Sequence, residues 1–379
     1  MGQFNYLSKL AKFESGHGPC LSVYLRLTPN ETGKKDHDVF LKKQFSEHLA
    51  VLKPNSDEFI SFSADIKKIE EFLDAVDPSI QGAAIFACSA AGLFETFEFL
   101  VPFDQNNFFV FGTPHLYPLV RIVSQNPPLI LVAADTNTAR IFLFHRGETK
   151  RSGEIENVKT NRTEVGGFSQ ARYQRRIENF HQQHAKEVVA ELSKLVESTR
   201  ADKIILCGDE TVIIPLLRDQ LPKELAEMII GTLPLHVDTP EAELLEAAEH
   251  VAKQADTVAD KAKIDHLLEE NYDGGVGVTG LKKTLAALMN GQVQELYLSA
   301  NFDDITYNVR DIRELLANYE PGEDSELPDP WSEGMVVDEL LKRAADVADD
   351  IRFNEDAALL RDAGGVGALL RYQAQGVSQ

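Results

Sequence analysis

The stretch from residue 129 to residue 222 constrains the fold more than any other part of the chain. Residues 129–133 are continuously apolar, Asp135-Thr136-Asn137-Thr138 has turn chemistry, and residues 139–144 return as a second apolar segment. Two strands joined by a tight turn are therefore predicted. Tyr173, Ile177, Phe180, His184, Val188, Leu192 and Leu195 then recur at spacings of three and four, the signature of one long helix with one buried face. Residues 203–207 read as a strand, Gly208-Asp209 as a turn, and residues 210–220 as a helix. Strand, strand, helix, strand, helix is the order of a layered α/β domain. A long helix rich in Ala, Glu and Lys, residues 241–271, closes it.

The flanks carry their own patterns. Upstream, residues 21–27 alternate like a half-buried strand, 65–76 read as a helix, and 83–87 and 94–101 as strands. Asn126-Pro127-Pro128 punctuates the chain before the central stretch. Downstream come a helix at 281–289, a strand at 295–300, an acidic Pro-containing loop at 320–333, a helix at 336–353 and a last strand at 369–372. The expectation is a mixed α/β (α+β) chain of three domains, 1–127, 128–271 and 272–379, with no internal repeat. A chain of 379 residues has room for them.

Composition narrows the function. The formal net charge is −22, which argues against broad nucleic-acid binding and so against a general DNA-binding role, because counterion release needs Lys and Arg. The charge is uneven. Residues 145–176 hold eight Lys and Arg against four Asp and Glu, whereas 320–356 hold three against thirteen. A basic arm on an acidic body suits entry into an RNA cavity, and an ordinary acidic protein with a chance cluster is the alternative reading. No apolar run approaches the roughly 18 residues of a membrane span, and the N-terminus lacks the pattern of a secretory signal. Cys20, Cys88 and Cys207 stand far apart in apolar surroundings and suggest neither a disulfide framework nor a zinc site. A cytoplasmic protein without a membrane partner is expected.

The stretch from residue 146 to residue 169 has little apolar content and reads as a long exposed loop. It ends on Gly166-Gly167-Phe168-Ser169-Gln170. Two glycines free the backbone for positive φ and close approach to a ligand. Arg172 and Arg176, four apart, share a helix face with Arg175 beside them. Such a tip can present a glutamine to orient water and stabilise an oxyanion, with guanidiniums behind it for phosphates. Spacing alone favours a capping loop followed by solvated arginines. Elsewhere, Gly275, Gly277 and Gly280 fit Gly-x-Gly-x-x-Gly, but no strand precedes them and Leu281 follows where a phosphate-binding loop needs Lys, so a turn before the next helix is the better reading. His181 and His184 are three apart on the long helix, without a Cys or carboxylate set to complete a metal site; His184 is read as a core residue and no metal is called for. No cofactor is indicated.

The run Gly-Gly-x-Ser-Gln-x-Arg-x-x-Arg from Gly166 to Arg175 resembles the catalytic loop of the bacterial and archaeal relatives of the eukaryotic class I peptide release factor and Pelota, and that of the VMS-type peptidyl-tRNA nucleases. Ile204-Ile205-Leu206-Cys207-Gly208 with the helix ending Leu217-Arg218-Asp219-Gln220-Leu221-Pro222 looks like the rest of that family's central domain. Gly364-Gly365-Val366-Gly367-Ala368-Leu369-Leu370-Arg371-Tyr372 is similar to its Gly-Gly-Ile-Gly-x-Ile-Leu-Arg-Tyr ending. The resemblance covers roughly residues 128–372. It implies a divergent N-terminal α+β domain, a central RNase H-like domain carrying the loop, and a C-terminal domain built like a kink-turn-binding ribosomal protein. It implies the ribosome and tRNA as partners, with a translational GTPase as a further candidate. Gly166, Gly167, Ser169 and Gln170 would form the catalytic tip, and Arg172, Arg175 and Arg176 would bind RNA. Two chemistries follow from it: hydrolysis of the peptidyl-tRNA ester in stalled ribosomes, or cleavage near the tRNA 3′ end. A ribosome- or RNA-binding protein that has lost the chemistry is the third reading. The release factor itself has Gly-Gly-Gln, whereas here Phe168 and Ser169 precede Gln170, and none of its stop-codon-reading motifs occurs in residues 1–127.

Overall fold

A computed structural model describes residues 9–13, 18–29, 36–126, 128–145, 148–156, 169–199, 201–308, 310–312, 314–315 and 333–373. The protein is a mixed α/β structure with three sheets. Its contacts divide it into two units, one made of residues 1–125 with 260–379, the other of 126–259.

In the first unit, β1 (Cys20–Arg26), β2 (Gly82–Cys88), β3 (Leu93–Phe99) and β4 (Asn107–Phe111) form a sheet of order β3-β2-β1-β4. Its pairings are antiparallel. Leu21, Val23, Leu25, Ala83, Ile85 and Ala87 face helices α1 (His37–Val51) and α2 (Asp57–Ala75). Cys20, Tyr24, Ala84, Phe86 and Cys88 face a second core. Both faces of β1 are therefore buried, not one as its alternation predicts. Ser22, on the polar phase, is 1% exposed, and its hydroxyl accepts the His115 N–H (2.9 Å). Alternation reads half-burial only when the polar residues meet water; here one of them meets a backbone donor.

The other sheet of this unit has order β10-β13-β11-β12, with β10 (Gly277–Thr279), β11 (Val293–Ser299), β12 (Asp350–Asn354) and β13 (Val366–Leu370). α3 (Tyr117–Gln125) comes from the N-terminal half of the chain, yet it packs here. The Tyr117 hydroxyl donates to the Ser299 carbonyl (2.9 Å), the Ser124 hydroxyl donates to the Ile351 carbonyl (2.8 Å), and the Tyr117 ring meets Phe302 and Phe353 edge-on. The helix predicted at 336–353 stops early. α9 spans Glu333–Val347, and Asp350–Asn354 pairs in parallel with β11. Ile351 and Phe353 are buried and alternate with Arg352, a period of two that the apolar run before them disguises.

The glycines of both Gly-rich runs answer to packing. Gly365 has φ +76°, and a Cβ there would stand 2.5 Å from the Asp304 carbonyl. At Gly367 a Cβ would meet Leu267 at 2.7 Å, and at Gly277 it would meet the 271 amide and the 267 carbonyl, each at 2.5 Å. These positions let the long helix α7 (Glu241–Tyr272) lie directly on β13 and β10. The Gly-x-Gly-x-x-Gly run thus contains a short strand, β10, in place of a plain turn.

The second unit is a single sheet of order β7-β6-β5-β8-β9. β5 (Leu129–Ala134) pairs antiparallel with β6 (Thr138–His145) and parallel with β8 (Lys203–Cys207), and β9 (Ile229–Leu233) extends it in parallel. Alternate residues serve opposite faces. Ile130, Val132, Ala134, Ile204 and Leu206 meet α4 (Ser169–Thr199) and α5 (Ile213–Gln220), while Leu129, Leu131, Ala133, Ile205 and Cys207 meet Leu244 and Ala248 of α7. β7 (Glu148–Glu156) lies within the stretch predicted as a loop. It pairs with β6 along its length. An edge strand needs only one paired neighbour, so backbone pairing can hold a segment whose sole large apolar residue is Ile155.

Candidate functional site

With β7 in place, the interval before α4 contracts to 157–168, and Gly166, Gly167 and Phe168 lie outside the described residues. Ser169 and Gln170 open α4, and Arg172, Arg175 and Arg176 fall in its first two turns; the side chains from 169 to 176 also lie outside the described set.

That helix is anchored far from its start. Ile177, Phe180 and His181 are half-buried, and full burial among the described side chains sets in only at His184 and Ala185, followed by Val188, Val189 and Leu192 on the sheet. Gln170 and His184 are fourteen positions apart, about 21 Å along an α-helix at 1.5 Å per residue.

At the anchor point the local chemistry is polar. Asp135 closes the β5–β6 turn, its Oδ1 accepting the N–H groups of Asn137 (2.6 Å) and Thr138 (2.7 Å). An Asp that bonds its own backbone two residues on is a turn device, and the motif was legible for that role. Its second effect was not: the Asp135 charge also reaches His181 and His184 across the sheet-to-helix gap. His184 is 1% exposed. Desolvation holds its imidazole below the ordinary histidine range, against the opposing pull of a hydrogen bond with the Thr138 backbone and of Asp135. It is a core residue. Arg140, further along β6, donates to the carbonyls of Val237 (2.8 Å) and Thr239 (2.9 Å) and lies over the Phe142 ring, fastening the connection into α7. Nothing in the sequence marks Arg140 for this; it depends on where β9 runs. Among the described residues no cluster of His, Cys, Asp and Glu could hold a metal ion.

The neutral His184 makes an acid-side prediction. Its unfolded form takes up a proton near pH 6.5 and its folded form at lower pH, so below about 6.5 the unfolded chain binds more protons and stability falls. Between about pH 6.5 and pH 5 the denaturant midpoint should drop more steeply for wild type than for His184→Gln. Parallel slopes would remove His184 as a proton-linked group.

Residues 114–253 match the family described as bacterial archaeo-eukaryotic release factor family 10. Over residues 114–253 the chain is similar to this release-factor family. The match includes β5 to β9, α4 and every candidate residue from Gly166 to Arg176 in this release-factor-like domain. Among solved structures, the chain is similar to the archaeal translation termination factor aRF1, with 18% identity over 97% of this chain and 96% of that one at a TM-score of 0.27. It is also similar to S. cerevisiae Dom34, a translation termination-like factor, with 13% identity over 78% and 82% at 0.44. For Archaeoglobus fulgidus Pelota the figures are 13% identity over 78% and 80% at 0.33. With TM-scores below 0.5, none of these likenesses defines the arrangement of this chain, and the assignment rests on the family match. No curated protein matches the chain in sequence. No helix among the described residues is long and apolar enough to cross a membrane.

Proposed function

We propose that this protein is a ribosome-associated release- or rescue-type factor that hydrolyses peptidyl-tRNA in stalled ribosomes, with Gly166, Gly167, Ser169 and Gln170 as its catalytic tip. The observation that carries the reading is the family match across the whole of this loop. The domain plan belongs to the same reading: a divergent N-terminal domain, an RNase H-like central domain bearing the tip, and a kink-turn-binder-like C-terminal domain.

The helix supports it in two ways. The loop leads directly into α4, whose buried anchor at His184 lies fourteen positions on from Gln170. Three arginines occupy the first two turns of α4, and Arg172, in the first turn, lies where the helix dipole is positive and a cation is disfavoured by about 0.3–1 kcal/mol. Phosphate oxygens of tRNA or ribosomal RNA relieve that repulsion and pair with the guanidiniums. In the reaction Gln170 orients a water against the ester carbonyl. Backbone N–H groups of the glycine tip stabilise the oxyanion that forms. The tRNA 3′ hydroxyl leaves with a proton, and the peptide leaves as a carboxylate. A translational GTPase is a candidate partner.

One observation favours a second reading, cleavage of the tRNA itself: Phe168 and Ser169 lengthen the tip relative to Gly-Gly-Gln, and Arg172 and Arg175 stand where phosphate charge would need stabilising. Incubating the protein with purified stalled ribosomes and mapping the tRNA 3′ end separates the two. Free peptide with an intact CCA end is expected for hydrolysis. A shortened tRNA overturns hydrolysis in favour of nuclease action, and tight ribosome binding without any cleavage overturns both.

A further inference from the structure

All three cysteines are buried thiols, and two of them lie at the ends of neighbouring strands. β1 and β2 run antiparallel in one unbroken register from Leu21 opposite Ala87 to Arg26 opposite Gly82. One more step places Cys20 opposite Cys88, the end residues of the two strands. The kind of pair follows by counting. The Leu27 N–H donates to the Gln81 carbonyl (2.7 Å), which makes 27 and 81 a hydrogen-bonded pair. Pair types alternate along an antiparallel ladder, and 20–88 is seven steps away, so Cys20 and Cys88 form a non-hydrogen-bonded pair. In such pairs the Cα atoms stand about 4.5 Å apart, the side chains are at their closest, and the spacing falls within the roughly 4.4–6.8 Å that a disulfide spans. Both thiols point to the same face: Cys20 and Cys88 share one core, and their neighbours Leu21 and Ala87 share the other.

We propose that Cys20 and Cys88 are a reversible redox pair, a cross-strand dithiol that a hydroperoxide converts to a disulfide tying β1 to β2.

Cys88 is the residue through which the pair is reached. It immediately precedes the turn of Ser89, Ala90 and Ala91, where Ser89 is half-buried and Ala90 to Gly92 are exposed. That turn is pinned to α2: the Ser89 hydroxyl donates to Asp65 Oδ1 (2.6 Å), Lys68 Nζ donates to the same hydroxyl (3.1 Å), and the Ala90 N–H donates to the Ser61 hydroxyl (2.9 Å). The strand end is thus held in place while the pair lies one residue from solvent. The chemistry balances with the peroxide as the two-electron oxidant. The Cys88 thiolate attacks one peroxide oxygen, the O–O bond breaks, and with hydrogen peroxide a sulfenic acid and hydroxide result. Cys20 sulfur then attacks the Cys88 sulfur, the S–S bond forms, and water leaves.

The surroundings set the speed. Burial, then the neighbouring Cys88 thiol and the Asp65 carboxylate, pushes the Cys20 thiol up to about 12, with Lys342 pulling the other way. Burial and Asp65 raise Cys88 as well, against backbone hydrogen bonds from Ala91 and Ala90 and the charge of Lys68. Thiolate is scarce at neutral pH, so the pair responds slowly, and the rate rises by about tenfold per pH unit below the thiol range.

The test exposes the native full-length protein to hydrogen peroxide across a pH series and follows intact mass and cysteine peptides. The expected product is lighter by two hydrogens, yields a linked Cys20–Cys88 peptide and reverts with dithiothreitol. Cys20→Ser and Cys88→Ser each abolish it. Protein unfolded in denaturant and exposed identically serves as the oxidation control. The proposal is overturned if the native protein forms no link while the unfolded chain oxidises. A sulfinic acid on a single cysteine as the main product overturns it too, as does a disulfide involving Cys207.

Discussion

Gln170→Ala is expected to slow peptidyl-tRNA cleavage on stalled ribosomes by about 10²- to 10³-fold, the usual loss when one preorganised transition-state hydrogen-bonding group is removed. The amide is neither acid nor base, so its contribution lies in aligning water with the carbonyl and stabilising charge that appears only in the transition state. Truncation should therefore lower the single-turnover rate without weakening ribosome binding, because Arg172, Arg175 and Arg176 remain on the first turns of α4. Substituting those arginines should do the reverse, weakening binding and flattening its salt dependence. Rapid-quench measurement at saturating protein, paired with ribosome pelleting, reads both quantities. Wild-type cleavage by the alanine variant would show that the tip is not the catalytic element.

Asp338→Ala is expected to destabilise the unit formed by residues 1–125 and 260–379 by about 3–5 kcal/mol, the range for breaking a buried charged network by removing one partner. Asp338 is 3% exposed on α9. Its Oδ1 accepts the backbone N–H groups of Leu116 (2.8 Å) and Tyr117 (3.1 Å), and its Oδ2 lies 2.5 Å from His115 Nδ1. It therefore caps the start of α3 from more than two hundred residues away. The peptide it holds is also gripped from β1: the Tyr24 hydroxyl donates to the His115 carbonyl, and the His115 ring packs on Phe109 and Phe111. Alanine would leave two buried N–H groups and an imidazole without their acceptor. Asparagine keeps one carbonyl oxygen for the N–H groups and should cost less, about 1–3 kcal/mol. Denaturant titration of the full chain with both variants checks the ordering. An alanine variant within about 1 kcal/mol of wild type would mean that the network is not fastening α3. The same contacts predict that a fragment ending near residue 127 lacks the acceptor for its last helix.

Local chemistry made much of this protein readable. The strand pair at 129–144, the helix stripe from Tyr173 to Leu195, and the strand at Lys203–Cys207 follow from periods of two and 3.6, and the helix Leu281–Met289 was legible to the residue. Elements whose reason lies elsewhere in the chain were not. No local pattern announces α1, β4, α3 or β9, the sequence of β7 reads as loop, and that of β12 continues a helical pattern. β7 has too little apolar content to announce itself, and it exists because β6 offers a free edge. β12 looks helical until β11 supplies a parallel partner.

By itself, then, the sequence determined the periodic elements and the uneven charge, because each is written in neighbouring residues. Only the tertiary structure decided that Asp338 caps a helix more than two hundred residues upstream, that Gly277 and Gly367 exist to admit α7, and that Cys20 and Cys88 end neighbouring strands on the same core. Those are long-range pairings, fixed by strand register and close packing between segments that no local pattern can connect. The tip itself gained from both. Its residues carry the reading, and the structure adds that Ser169 and Gln170 open α4, fourteen positions before the buried His184.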